Sequence, residues 1–465
     1  MKSDGMNMCE GPILKNVILY TLPIIATGVL QLLFNAADLI IVGRFCGSIT
    51  IAAVGATSSL ISLLTNLFLG LSVGVGVAVA HGLGAGDRDS VQRAVHTSVP
   101  IAVICGIVLT FIGYFGAHRF LTMMATPENV MELSLTYLKI YFLGITSTIV
   151  YNFGAAVLRA AGDTRSPLIY LTIAGGANVV LNIFFVTVFS MNVAGVALAT
   201  AISQTIAAVL IVIAMMRRTD ACRYELKKTR IHKMPLLYII KIGLPAGIQS
   251  SLFSISNVII QSSVNSFGDV AMSGCAAAGN IEHFVGIAIN AYSQTALNFT
   301  AQNVGAGNYG RVRRVLRTCF ACITVTGLTL GCAVALFARP LLGIYITDSA
   351  QAIEYGVIKL MFICLPYFLA GLMDATTSAI RGMGASLTPM IITIGGVCGF
   401  RILWVYTIFQ VPRFHTLNSL FSSYAISWAL TFLVQLAVYL MLFRKRVREQ
   451  QRHLPTEHEA EFATV

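Results

Sequence analysis

The sequence predicts an all-α integral membrane protein, with twelve transmembrane helices in two pseudo-symmetric six-helix lobes. Three observations predict it. Only 11% of the residues are charged and 56% are hydrophobic, whereas a soluble domain carries roughly 25% charge. Twelve apolar runs are each long enough for a bilayer core, which takes about 20 helical residues. The second half of the chain repeats the marker residues of the first, in the same order.

Missing charge on this scale means that most of the surface faces lipid, in line with a mean hydropathy of +0.80. The formal net charge is +12, which in a soluble chain would suggest nucleic acid. Here the basic residues have first to be placed relative to the membrane. The ten cysteines are scattered, and the one close pair is Cys319 and Cys322. A zinc or redox site needs further ligands nearby and none are present, so they read as small residues of membrane helices. No removable signal is expected, because the first apolar run is too long for an h-region and no small-residue cleavage pattern follows it.

The expected spans are 14–42, 50–79, 94–115, 133–157, 167–189, 192–216, 236–264, 272–301, 316–337, 352–379, 387–409 and 418–443. Pro23, Pro245 and Pro366 mark entries or bends, where a freed carbonyl needs a new partner. One set of loops holds Arg88, Arg93, Arg159, Arg165, the Arg217–Lys233 stretch, Arg311, Arg313, Arg314, Arg317 and Arg381. The opposite set holds Arg44, Arg119, Arg339 and Arg413. Basic residues collect on the cytoplasmic side. Both termini and the central linker are therefore expected in the cytoplasm, with the protein in the plasma membrane. Topology explains the basic charge, so no nucleic-acid partner is expected. The expected division is 1–13 as an N-terminal segment, 14–216 as the first lobe and 217–235 as a basic linker. The second lobe is 236–443 and the tail 444–465.

The repeat has an offset of about 222 residues. Leu22-Pro23 returns as Leu244-Pro245, Asn35 as Asn257, and Gly84-Ala-Gly86-Asp87 as Gly305-Ala-Gly307-Asn308. Arg159-Ala-Ala-Gly162 returns as Arg381-Gly-Met-Gly384, and Pro167 as Pro389. Both copies start on the same side, so the repeat is parallel. Duplicated bundles usually enclose a central site and rock about it for alternating access. No G-x-x-x-x-G-K-[ST] motif occurs, so ATP is not used by that route and an ion gradient is the natural energy source.

These residues resemble the multidrug and toxic compound extrusion (MATE) family, prokaryotic type, over roughly residues 10 to 445. The likeness is carried by Gln31, Asn35, Asp38 and Gly43 of the first span and by the Gly84–Asp87 loop. It is also carried by Arg159–Pro167 and by its copy Arg381–Pro389. The resemblance implies a V-shaped pair of six-helix lobes that exchange substrate for Na⁺ or H⁺. It also implies that Asp38, Asn178, Asn182 and Thr200 occupy first-lobe ion positions. The chain departs from the family twice. Asn182 replaces the acid of an Asn-x-x-x-Asp pattern in the fifth span. A glutamate that another branch carries in the seventh span falls near Ser254.

Asp38 is the strongest site candidate, because a carboxylate within a span usually faces a cavity or a partner. At about 1.5 Å per residue it lies roughly 6 Å below the outer end of its span, with Asn182 at roughly 10 Å and Thr200 at roughly 12 Å. Asn178 is one turn deeper than Asn182 on the same face. Ordinary interhelical hydrogen bonding by Asn and Thr is the alternative for the amides. Further candidates are Asn35, Glu282 beside His283, and Asp374 with its repeat counterpart Asn152. Asp374 either faces the cavity or bonds Arg381. Lys139 and Lys359 are expected to snorkel to the interface. Arg401, within a span, is a candidate contact for an anionic group.

The expected function is a cation-coupled (H⁺ or Na⁺) antiporter exporting amphipathic, cationic small molecules. The alternative is a flippase for a lipid-linked precursor. An acidic cavity favours the first and a basic one the second. No clustered His/Asp or Ser/His motif at membrane depth suggests an enzyme. No cofactor is expected beyond the coupling ion. If that ion is Na⁺, its ligands are Asp38, Asn178, Asn182 and Thr200. Loss of the second acid weakens a hard-cation site and tilts the expectation towards H⁺. The expected partners are small-molecule substrates and the bilayer, with the protein acting as a monomer.

Overall fold

A computed structural model describes residues 5–124, 126–347 and 349–453. The first four residues and the part of the expected tail beyond 453 lie outside them. Six long helices build the first lobe: α1 (Ile13–Phe45), α2 (Ser48–Gly84), α3 (Arg88–Met123), α4 (Glu128–Ala160), α5 (Arg165–Thr187) and α6 (Asn192–Arg217). The second lobe repeats them with breaks. Its helices are α7 (Lys233–Asn265), α8 (Asp269–Gly305), α9 (Tyr309–Leu336) and the short α10 (Ala338–Gly343). They continue as α11 (Ala350–Ile363), α12 (Tyr367–Gly382), α13 (Leu387–Thr393), α14 (Phe400–Tyr406) and α15 (Leu417–His453). Among the described residues there is no strand.

Among the described residues ten helices are long and apolar enough to cross a membrane, and α11 with α12 makes an eleventh span bent by 43°. The bend falls at Pro366, which supplies no amide to the ladder. The twelfth span is α8. It is 37 residues long but carries Asn280, Glu282, His283, Asn290, Gln294 and Asn298, which dilute its apolar character. The eleventh expected span, 387–409, is less regular than its sequence suggests. A π-helical turn, Ile394–Gly399, separates α13 from α14. Three glycines lie in or at the end of that turn, and a Cβ on Gly396 would sit 2.3 Å from the Thr431 hydroxyl of α15.

The repeat extends to single dihedrals. Left-handed glycines precede α2 and α8 (Gly47 φ 87°, Gly268 φ 88°), follow them (Gly86 φ 68°, Gly307 φ 67°), and follow α4 and α12 (Gly162 φ 83°, Gly384 φ 89°). The side chain of Asp87 accepts from the Ser90 amide at 2.9 Å, and Asn308 accepts from that of Arg311 at 3.1 Å, each capping the next helix.

The lobes meet along α2 and α7, where two glycine pairs at four-residue spacing face one another. A Cβ on Gly70 would lie 2.2 Å from the Gly247 nitrogen, and one on Gly74 would lie 2.3 Å from the Ile239 carbonyl. One on Gly243 would lie 2.5 Å from the Leu71 Cα. Small residues at this spacing let membrane helices touch backbone to backbone. Towards the basic loops the seam passes to α8, where a Cβ on Gly84 would sit 1.8 Å from the Gln302 carbonyl. Thr21 and Thr295 share a hydrogen bond of 2.7 Å, and the His81 ring contacts the Gly382 carbonyl at 3.0 Å. Among the described residues, inter-lobe hydrogen bonds from α2 reach no farther from this basic end than Leu63 and Asn66, which meet Ser251 and Ser254.

The segment before α1 straps this basic end. The Met6 amide donates to the Gly162 carbonyl of the first lobe at 3.2 Å. Met8 is fully buried on the second lobe. Its amide donates to Gln302 at 2.9 Å, and its carbonyl accepts from Asn303 and Arg311, each at 3.1 Å. The linker also docks. Arg218 pairs with Asp220 and lies 3.7 Å from Asp163, and the Glu225 amide reaches His96 at 3.2 Å. Burial pushes the Cys222 thiol up to about 12, so this cysteine is unreactive at neutral pH.

Candidate functional site

In the first lobe three helices bring the expected polar residues into one chain of hydrogen bonds. The Asn182 amide on α5 donates to the Asp38 carboxylate on α1. The same nitrogen donates to the Asn178 oxygen at 3.2 Å. Asn178 in turn donates to the Thr200 hydroxyl on α6 at 3.4 Å, and Thr200 donates to the Val196 carbonyl at 3.0 Å. Asn178 and Asn182 are 5% and 0% exposed. The Asn182 oxygen is buried without a partner, an unusual cost for an interior amide. Asn35 is exposed one turn before Asp38 and makes no hydrogen bond among the described residues.

The sequence shapes this meeting one turn away. A Cβ on Gly175 would lie 1.8 Å from the Phe34 ring, so the ring rests directly on the α5 backbone. Asp38 is four residues after Phe34, and Asn178 and Asn182 are three and seven after Gly175, which puts each set on one helix face. Gly175→Val should push α1 off α5 and separate Asp38 from Asn182. The expected result is near-complete loss of coupled transport, with stability lowered by about 1–3 kcal/mol, the usual range for overpacking. Transport assays with a thermal melt check this; wild-type transport would show that the contact is dispensable.

The other expected residues fall elsewhere. Asn152 donates to its own helix at Thr148, 2.8 Å away. Asp374 lies two turns before Arg381 on α12 and forms no ion pair with it; Arg381 instead donates to Gln249 at 2.8 Å. Glu282 pairs with Lys359 at 3.3 Å, and His283 is exposed beside it. Lys359 thus does not snorkel outwards as expected, because a carboxylate on α8 holds it inside the lobe. It also donates to the Cys275 carbonyl at 3.2 Å. Lys139 sits 5.5 Å from the Tyr114 ring. Arg401 is 2% exposed, with its guanidinium 3.7 Å from the centre of the Tyr424 ring and its Nε donating to Ser427 at 3.2 Å. Aromatic faces receive this charge, and one terminal nitrogen of the guanidinium is buried without a partner.

Between the lobes, at the seam, lies a cavity of about 230 Å³. Its polar lining includes Asn66, Asn152, Arg159, Gln294, Asn298 and Arg381, drawn from α2, α4, α8 and α12. Sequence reasoning found Asn152 and missed the rest. Amides within apolar runs were the available signal for Asn66, Gln294 and Asn298. The two arginines read as loop residues because each lies within two residues of its helix end.

Comparison with known proteins completes this picture. A family model for MatE matches residues 23–184 and again residues 245–407, each match starting at the proline of its lobe's first helix. The chain belongs to the MatE family. This MATE transporter is 27% identical over 389 residues to the probable multidrug resistance protein YpnP of Bacillus subtilis, covering 83% of this chain and 86% of that one. It is 23% identical over 458 residues to the multidrug export protein MepA of Staphylococcus aureus, covering 96% and 98%. A solved MATE structure in complex with MaL6 shares its fold, with a TM-score of 0.89 at 20% identity, covering 96% of this chain and all of that one.

Proposed function

We propose that this MATE transporter is an antiporter that exports amphipathic small molecules in exchange for protons carried by Asp38. The multidrug relatives support the cargo class. The observation that carries the proton assignment is the bond from Asn182 to Asp38. The bond ties one oxygen of Asp38 to an amide at the position where the family's second acid would stand, which leaves a hard cation one carboxylate short. A proton needs only the carboxylate itself. The basic loops support an orientation with both termini and the linker in the cytoplasm of a plasma-membrane protein.

A purely cationic cargo is less well supported than the sequence suggests. Glu282 is already engaged by Lys359, and two arginines line the inter-lobe cavity. That lining also favours, as a second reading, a flippase for a phosphate-bearing lipid. Expression in bacteria lacking their own pumps tests the exporter. Accumulation of amphipathic dyes should fall, and a protonophore should restore it while removal of Na⁺ does not. Unchanged accumulation across dyes of either charge contradicts export; dependence on Na⁺ contradicts the proton.

A further inference from the structure

We infer that the inter-lobe cavity is a recognition subsite for an anionic group, a carboxylate or phosphate, at one end of an amphipathic cargo. The inference rests on the transport reading above and names the chemistry of its cargo.

The cavity floor carries a symmetry-related pair. Arg159 ends α4 and Arg381 ends α12, at equivalent points of the repeat. Both helices run towards the basic end, and a helical side chain leans back towards the start of its helix. The guanidinium groups are therefore carried up into the space between the lobes and away from the loops. Both residues line the cavity, and none of its lining residues is acidic. Asp374 lies two turns before Arg381 on α12 and outside the lining; its charge is felt by Arg381 without a direct ion pair. Asp163, close to Arg159 in sequence, lies beside Arg218 of the linker.

Amide oxygens hold both arginines, and no carboxylate in the cavity lining offsets their charge. Arg381 donates from one terminal nitrogen to Gln249 at 2.8 Å, while its Nε is buried with no partner. Arg159 reaches Gln294 at 3.5 Å. Amide oxygens orient a guanidinium without cancelling its charge, and two like charges on one low-dielectric cavity favour an anion between them. Asn66, Ser250 and Asn298 add donors around the same space. Size sets what fits. A drug-sized site spans roughly 300–1,000 Å³, and this cavity of about 230 Å³ takes a head group rather than a whole molecule. The apolar body of the cargo would extend away from the sealed end. Because one arginine belongs to each lobe, an anion between them also ties the lobes together in this state.

The test uses purified full-length protein and a pair of xanthene dyes, one with a free carboxylate and the other its ethyl ester. Fluorescence anisotropy should show wild-type protein binding the acid at least about tenfold more tightly, the range for a charge-assisted bidentate contact. Arg159→Gln and Arg381→Gln should each lose that preference while binding the ester as before. Arg381→Lys should keep part of it, which separates lost charge from lost folding. A second arm offers a polyprenyl phosphate and its alcohol in detergent micelles. Preference for both acid and phosphate, or for the phosphate alone, supports the subsite; the phosphate alone assigns the anion to lipid. Equal binding of acid and ester together with equal binding of phosphate and alcohol overturns it, as does a preference that survives both glutamine variants. Dye export in cells is scored separately. Export without the binding preference sinks the subsite and leaves the transporter reading; the preference without export does the reverse.

Discussion

Asp38→Asn should abolish gradient-driven export while leaving a folded protein. The side chains are nearly the same size, and the new amide oxygen can still accept from Asn182, the neighbour that bonds Asp38. What disappears is the group that gains and loses a proton. The stability change should stay within the roughly 1.5–3 kcal/mol typical of a hydrogen bond to a charged group, and cargo binding should survive. Asn182→Asp in the Asp38→Asn background returns an acid to the same bond and should recover part of the transport. Initial rates in sealed liposomes under one fixed pH gradient decide this. If Asp38→Asn moves cargo at the wild-type rate, the first-lobe site is wrong. Glu282 then becomes the better candidate, with its bond to Lys359 as the part that must break.

Gly70→Val should have an effect of similar size by another route. The seam between α2 and α7 has no room for a side chain, since a Cβ on Gly70 would already lie 2.3 Å from the Gly247 Cα. Backbone cannot swing aside as a flexible side chain can, so the helices must separate and the sealed basic end must open. At about 1.4 kcal/mol per tenfold change in population, an overpacking cost of about 1–3 kcal/mol suffices to shift the balance of states by one to two orders of magnitude. Spin labels at the exposed positions 88 and 313, one per lobe at the basic end, report it. Wild-type protein should give one short distance. Gly70→Val should give a longer, broader distribution and export at a small fraction of the normal rate. An unchanged distance distribution with normal export would show that the seam yields elsewhere.

Much of this was legible because membrane physics leaves few choices. Apolar length gave the spans, and arginine placement separated one set of loops from the other. The repeat was visible in Gly86 and Gly307 and in Gly162 and Gly384, since left-handed turns between helices ask for glycine in both copies. Counting from the span ends put Asp38, Asn178, Asn182 and Thr200 at similar depth, and the family resemblance, not the counting, joined them into one cluster. The paired spacing of Gly70 with Gly74 and Gly243 with Gly247 was also there to be read. Its meaning depends on which two helices face each other, and one sequence does not say so. The same limit hid the partner of Lys359. A lysine near a helix end snorkels unless an acid on another helix stands within reach, and Glu282 does. Arg159 and Arg381 were misjudged for a subtler reason. Counting along the chain locates the Cα at the membrane edge, but a long side chain leaning back along its helix puts the charge somewhere else. The π turn before Arg401 had no sequence signal beyond its glycines.

Proton counterflow is the most direct test of proton exchange at Asp38. Purified protein in sealed liposomes, with a pH-reporting dye inside and membrane potential clamped, is given a cargo gradient and no pH gradient. Cargo movement should drive protons the opposite way, at a rate independent of Na⁺, and Asp38→Asn should show no such movement. Cargo movement that carries Na⁺ and leaves internal pH unchanged would contradict it, as would proton counterflow that persists in Asp38→Asn.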